Sequence, residues 1–350
     1  MRLILCICFL WLLSGCGTGP KHRLVNLKVE WTEAGLSGYR IMRFQQDGPV
    51  LYAGTNKGLY KKDFSKESSN WQGLGLSNDT INDMVIFDSN KILVGVDEPY
   101  FNSGQTTLYL TIDGGDTWKA YLNGFGGTKK ETWLKRLEHD PTNPDILYAA
   151  GSAVVAKSTD QGLSWKPVVA SWDAVGGGNF VLRTDPQKPG KVWVGGGNAV
   201  FQPILFKSTD YGDTWRSLLK NVSADGEETT IYDLVVNPSN SDRLLIGEGI
   251  GIKRSVDDGE HWSKVFSQTP IYALANDPVK QTWVYASGAN QDTTLFFAAS
   301  PDFGDTWQMV TDTTGPKGIT INDLVATIVN GKKTLFFSTN KGVYMYEFTE

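Results

Sequence analysis

Ser208-Thr209-Asp210-Tyr211-Gly212-Asp213-Thr214-Trp215 is a phrase of eight residues that the chain writes five times. The other copies are T-I-D-G-G-D-T-W from Thr111 to Trp118, S-T-D-Q-G-L-S-W from Ser158 to Trp165, S-V-D-D-G-E-H-W from Ser255 to Trp262 and S-P-D-F-G-D-T-W from Ser300 to Trp307. Its chemistry is that of a strand reversing tightly and continuing as the outer edge of a sheet. Asp113, Asp160, Asp210, Asp257 and Asp302 accept hydrogen bonds from turn amides, while Gly115, Gly162, Gly212, Gly259 and Gly304 allow positive φ. The leading Ser or Thr adds a hydroxyl bond to the same turn. The closing Trp buries a large ring and needs a partner for its indole N–H.

Outward from the phrase, Trp31 and Trp71 extend the series, so that seven tryptophans follow one another at 40, 47, 47, 50, 47 and 45 residues. A period of about 40 to 50 residues with several short strands per unit marks a β-propeller blade. Period-two alternation places the innermost strands at Tyr39 to Phe44, Ile81 to Phe87, Trp133 to Glu138, Phe180 to Thr184, Ile231 to Val236, Ile271 to Ala275 and Ile319 to Val325. Asp140-Pro141, Asp185-Pro186, Asn237-Pro238 and Asp277-Pro278 supply the turns that follow four of them. The expected fold is all-β: a single seven-bladed β-propeller of four-stranded antiparallel blades.

Two blades lack the phrase. Blade 1 keeps a relic, Lys62-Asp63-Phe64-Ser65 followed distantly by Trp71, which implies a longer, irregular turn. Blade 7 ends the chain at its third strand, Gly342 to Phe348, and its fourth is expected from Val25 to Trp31 at the opposite end. That pairing closes the ring and removes two free sheet edges.

At the amino terminus Arg2 precedes an apolar run, Leu3 to Leu13, too short to span a bilayer as a helix and typical of a secretory signal. Leu13-Ser14-Gly15-Cys16 is similar to a bacterial lipobox, and the cut before Cys16 that this resemblance implies gives residues 1–15 as signal peptide, 16–24 as tether and 25–350 as propeller. Cys6 and Cys8 fall in the removed segment, which leaves Cys16 as the single cysteine and excludes a disulfide framework. Removing Arg2 takes the formal charge from -5 to -6, mildly acidic and without a long basic run, which argues against a nucleic-acid partner.

The turns after strands one and three of a blade share one face, so the phrases and the Asp-Pro turns lie together. Long irregular connections fall on the other face, where binding residues usually sit. The candidate binding residues there are Tyr100, Phe101, Lys129, Lys130, Glu131, Trp133, Trp172 and Asp173, aromatics beside charges and mobile glycines. His22, His139 and His261 all lie outside those loops, so no zinc site and no Ser-His-Asp triad is expected, and no cofactor.

The five phrases resemble the Asp-box (BNR) repeat of sialidases, sortilin-type receptors, xyloglucan-cleaving glycoside hydrolases and the photosystem II assembly-factor family. Leu13-Ser14-Gly15-Cys16 resembles a bacterial lipobox, which implies lipid attachment at Cys16 and an exported protein anchored to a membrane. Tyr39-Arg40-Ile41-Met42 is similar to the sialidase Arg-Ile-Pro motif, with Met42 in place of Pro. Tyr52-Ala53-Gly54-Thr55-Asn56-Lys57-Gly58 is similar to a segment of the xyloglucan-cleaving enzymes, and puts Asn56 where that family has its catalytic Asp. The assembly-factor likeness implies a lipid-anchored propeller that binds a protein partner. The expected function is therefore a binding or assembly scaffold acting through the face opposite the phrases. The alternative is a carbohydrate-active enzyme or glycan binder using acids such as Asp97, Glu98, Glu131 and Asp173.

Overall fold

The computed structural model describes residues 31–97, 108–121, 134–151, 154–169, 180–198, 202–223, 229–267, 269–289, 294–310 and 315–348. They form seven four-stranded antiparallel sheets, each innermost strand touching those of the adjoining blades and blade 7 touching blade 1. The innermost strands of blades 1 to 7 are Ile41–Asp47, Ile81–Ile86, Leu134–Asp140, Phe180–Thr184, Ile231–Val236, Ile271–Asn276 and Ile321–Val329. Alternation starts blades 1 and 7 two residues early. Tyr39 and Thr320 instead belong to incoming loops, where the Tyr39 N–H bonds to the Leu36 carbonyl and the Thr320 N–H to the Asn340 side chain.

The ring closes as a composite of both ends of the chain. Trp31–Gly35 is the outer strand of blade 7, antiparallel to Gly342–Glu347 with Trp31 opposite Tyr346. Of the expected Val25 to Trp31, Trp31 is described and pairs with the last strand, the pairing continuing to Gly35; residues 25–30 lie outside the described ones. The Trp31 ring packs on Phe337 at 4.8 Å and Phe297 at 6.1 Å, and the Trp71 indole donates to the Ala34 carbonyl at 2.8 Å, tying the composite blade to blade 1.

The apolar core lies between blades rather than within a central layer. One cluster joins Val85 and Leu93 of blade 2 to Leu137 and Leu147 of blade 3, and the same arrangement recurs around the ring. Burial on both faces explains why second strands such as Ile92–Val96 read as continuous runs of apolar residues and glycine instead of alternating.

Each phrase is a closed hydrogen-bonded unit. In the third copy, Asp210 accepts from the Ser208 hydroxyl at 2.8 Å, from the Thr214 N–H at 2.9 Å and from the Thr214 hydroxyl at 2.5 Å, while the Gly212 N–H donates to the Ser208 hydroxyl at 2.8 Å. The residue before the glycine is left-handed too, at Gln161, Tyr211, Asp258 and Phe303, which costs an L side chain about 1–2 kcal/mol. The conformation points its N–H at the turn between the first two strands of the same blade: Gln161 to Asp145, Tyr211 to Gly190, Asp258 to Asp242 and Phe303 to Thr282, all at 2.7 to 3.0 Å. The two sets of turns therefore share one face, as the connectivity requires. The glycine is needed for space as well as φ, since a Cβ on Gly162 would sit 2.5 Å from Leu93 of the preceding blade. The tryptophans are half-buried, and Trp165, Trp215 and Trp262 donate to the carbonyl of their own phrase glycine. Trp307 departs from the expected pattern, its buried indole N–H lacking an acceptor.

Around the axis the blades are clasped by buried charge. Innermost strands of six blades carry a bulge after their first residue, which turns the third residue toward the next blade. In blades 2, 5 and 7 that residue is Asp83, Asp233 or Asp323, each buried. One carboxylate oxygen accepts the N–H of the residue that follows it, and the other accepts an N–H of the next innermost strand: Leu137 at 3.0 Å, Leu274 at 2.9 Å and Phe44 at 2.8 Å respectively. Arg43 lies between Asp323 at 3.0 Å and Asp83 at 3.7 Å, and Arg183 reaches Asp233 at 2.7 Å. Burial pulls the Arg43 guanidinium down, but the Asp323 and Asp83 carboxylates outweigh it and hold the group above its ordinary range. Asn82 and Asn322 repeat the clasp with donors, to the carbonyls of Leu134 and Ile41.

Two predictions follow from these contacts. Asp323→Ala removes the acceptor of two backbone N–H groups and leaves Arg43 with Asp83 alone, and is expected to cost about 3–5 kcal/mol in urea melts; a loss below about 1 kcal/mol would rule out the clasp as a principal stabiliser. The second concerns acid. The Thr111 hydroxyl holds the Asp113 carboxyl at about 2, and the Thr214 hydroxyl and N–H hold Asp210 at about 2, against an ordinary 3.8. Because the folded values are depressed, their stabilisation is complete above the ordinary value and is lost as pH falls through about 2. Thermal melts across that window should show Asp210→Asn less stable than the parent at neutral pH and convergent with it in strong acid; parallel curves would refute the assignment.

Candidate functional site

The face opposite the phrases carries the turns between second and third strands and the connections between blades. All eight sequence-derived candidates, Tyr100, Phe101, Lys129, Lys130, Glu131, Trp133, Trp172 and Asp173, lie outside the described residues, as does Cys16. Of the candidate acids, Asp97 is described. It accepts the Asn82 amide at 2.6 Å and the Lys135 ammonium at 2.8 Å, so it is occupied as a structural ion pair at the mouth of the axial channel. Glu98 is outside the described residues.

What the structure does show of this face is built by two copies of a second phrase. Thr55-Asn56-Lys57-Gly58-Leu59-Tyr60 in blade 1 and Thr339-Asn340-Lys341-Gly342-Val343-Tyr344 in blade 7 turn between second and third strands in the same way. In each, the Thr hydroxyl donates to the Gly carbonyl and accepts the Lys N–H, at 2.9 and 3.0 Å in blade 1 and 2.7 and 3.1 Å in blade 7. The Asn side chain accepts the N–H of the incoming loop, Arg40 or Thr320, both at 2.9 Å. Asn56 is thus a lock on the Leu36–Arg40 loop, with its backbone N–H also bonded to the Arg40 carbonyl.

That loop runs between the two turns. The Gly38 N–H bonds to the Lys341 carbonyl at 3.3 Å, and Tyr39 lies edge-on to Tyr60 with ring centroids 5.4 Å apart. The Tyr60 hydroxyl donates to that of Tyr39 at 3.4 Å, a bond that, with partial burial, pushes Tyr60 up to about 12. The enzyme likeness marks the first copy alone; the signal that pairs it with the second is the shared Thr-Asn-Lys-Gly-x-Tyr pattern near the two ends of the chain.

Toward the axis, Tyr232 and Tyr272 form a second ring pair at 4.8 Å. Deeper in the channel lie Arg136 and Glu138. Burial, together with the neighbouring Arg43 and Arg183, lowers Arg136 to about 10, and burial raises Glu138. The five phrase carboxylates do not converge on a substrate, each being bound inside its own turn. Among the described residues no cluster of His, Cys, Asp and Glu suited to a metal ion is present.

With this geometry in hand, comparison with solved structures places the fold among propellers. A GH74 enzyme of Niastella koreensis superposes with a TM-score of 0.70 at 19% identity, over 90% of this chain and 53% of its own, so this chain spans about half of that enzyme. A YCF48 protein bound to a D1 peptide superposes with a TM-score of 0.67 at 17% identity, over 93% of this chain and 97% of its own. The extracellular domain of a putative one-component system from B. thetaiotaomicron gives 0.63 at 12% identity, over 93% of this chain and 41% of its own. No family model and no curated protein matches the sequence.

Asn56→Ala is expected to accelerate amide hydrogen exchange at Arg40 and its loop neighbours at least about tenfold while leaving the melting temperature within a few degrees. Unchanged exchange at Arg40 would remove the lock from the account.

Proposed function

We propose that this chain is an Asp-box propeller, exported and lipid-anchored through Cys16, that docks a protein partner on the face opposite the Asp-boxes. The observation that carries the reading is the state of Asn56. It stands where the xyloglucan-cleaving resemblance implies a catalytic Asp, and an amide can neither protonate a leaving group nor activate water. Its side chain is spent on the backbone of the Leu36–Arg40 loop. Asp97 is likewise held in a lysine ion pair. A face whose polar groups fix loop shape suits docking better than proton transfer. The likeness over nearly the whole of both chains to a YCF48 protein bound to a D1 peptide supports the same reading. With the described ends, Trp31 and Phe348, on the phrase face, an anchor at Cys16 leaves the opposite face directed away from the membrane.

The alternative is a glycan binder or glycoside hydrolase working with Asp97, Glu98, Glu131 and Asp173. Its supporting observation is the overlap of the fold with the GH74 enzyme. In cross-linking on intact membranes, the parent protein is expected to retain one partner that Tyr100→Ala with Trp172→Ala loses, and Cys16→Ala is expected to release the protein from the membrane fraction. Sugar release from xyloglucan, abolished by changing Glu131 or Asp173, would overturn the docking reading in favour of catalysis.

A further inference from the structure

Arg40, Lys57, Lys317 and Lys341 are all exposed on the face opposite the phrases, and among the described residues none has a carboxylate within ion-pair distance. They sit together because the loop geometry collects them. The Lys57 ammonium lies 5.3 Å from the centre of the Tyr39 ring, the Arg40 backbone is locked to Asn56, and the Lys341 ammonium reaches the Lys317 carbonyl at 3.4 Å. The contrast with the phrase face is direct. There Lys157, Lys188, Lys207, Arg216 and Arg254 meet Asp213, Asp242, Asp258, Glu260 and Asp305. Among the described residues of a chain of net charge -5, four cations thus stand together with no carboxylate beside them.

We infer that this patch, with the Tyr39 and Tyr60 rings as its floor, binds an acidic peptide segment of the partner, carboxylates on the four cations and an apolar side chain on the tyrosines. The inference rests on the docking function proposed above and names the chemistry of what is docked. A peptide fits better than a longer polyanion for a reason of range. Charges are screened beyond about 8 Å at physiological salt, so a short segment feels the local cations, whereas a nucleic acid or anionic bilayer also meets the rest of a chain whose net charge is negative. The floor is preorganised, since both turns and the loop between them are held by side-chain bonds to backbone, and little ordering remains to be done on binding.

The test is fluorescence anisotropy with a fluorescein-labelled peptide of three Glu-Asp pairs around a central Phe, and its Gln-Asn counterpart. The full-length protein carrying Cys16→Ala is the receptor. The acidic peptide is expected to bind with an affinity that falls as salt rises, and the Gln-Asn peptide to bind at least about tenfold more weakly. Lys57→Glu with Lys341→Glu should weaken the acidic peptide by about tenfold or more, while Lys119→Glu with Lys166→Glu, an equal charge change on exposed outer strands, stays within about twofold. Near-ultraviolet circular dichroism and melting confirm that both double variants remain folded.

An equal loss in the two double variants would reduce the effect to net charge and overturn the patch. So would preferential binding of a thymidine oligonucleotide or of phosphatidylglycerol vesicles, or no peptide binding at all. Cross-linking that still captures the partner after the Lys57 and Lys341 reversals, with no peptide binding, would remove the patch and leave the docking function standing. Peptide binding without capture would do the reverse.

Discussion

Each blade is a thin sheet with no layer of its own to cover it. Its two faces are buried by its neighbours alone, so every interface in the molecule depends on the ring being closed. Closure rests on the pairing of Trp31–Gly35 with Gly342–Glu347 and on the aromatic packing of Trp31 against Phe337. Were that seam to open, blades 1 and 7 would expose apolar faces and two sheet edges at once. The axial clasps work in the same direction. Asp83, Asp233 and Asp323 each tie one innermost strand to the next through a backbone N–H, so register between blades is set by a directional bond as well as by packing. Burying those carboxylates is tolerable because each accepts two N–H groups, and Arg43 and Arg183 stand beside them.

Rigidity of this kind divides labour between the two faces. On the phrase face, side-chain oxygens are consumed within turns and ammonium groups are met by carboxylates of adjoining blades. On the opposite face, Asn56 and Asn340 fix backbone, and among the described residues the basic side chains beside them meet no carboxylate. The same scaffold thus holds shape on one side and, in what the described residues show, presents cations on the other, an arrangement consistent with the docking proposed above.

The architecture was legible because it is written in residues whose roles are local. The Asp, Gly and Trp of each phrase declare a turn and its period, and the irregular turn expected after Lys62 is present, with Asp63 accepting from Ser65 and Phe64 packed on Trp71. The left-handed residue before each glycine was not legible, since Gln161, Tyr211, Asp258 and Phe303 share no chemistry; what they share is a backbone N–H pointed at a neighbouring turn. The axial charges were equally hidden. Arg43, Asp83 and Asp323 look in sequence like solvated positions of alternating strands, and only the bulge that reorients them makes them interior. The Lys57 and Lys341 patch escaped for a third reason: its parts come from opposite ends of the chain, and proximity of that kind follows from topology alone.

The composite blade also bears on how the protein is made. Trp31 and Tyr346 lie more than three hundred residues apart in sequence yet pair directly. Trp31–Gly35 therefore waits on Gly342–Glu347, and until the two meet, the partly formed ring presents an apolar flank at each extremity. Such late, distant contacts are slow to form and favour aggregation or exchange of the terminal strand between molecules.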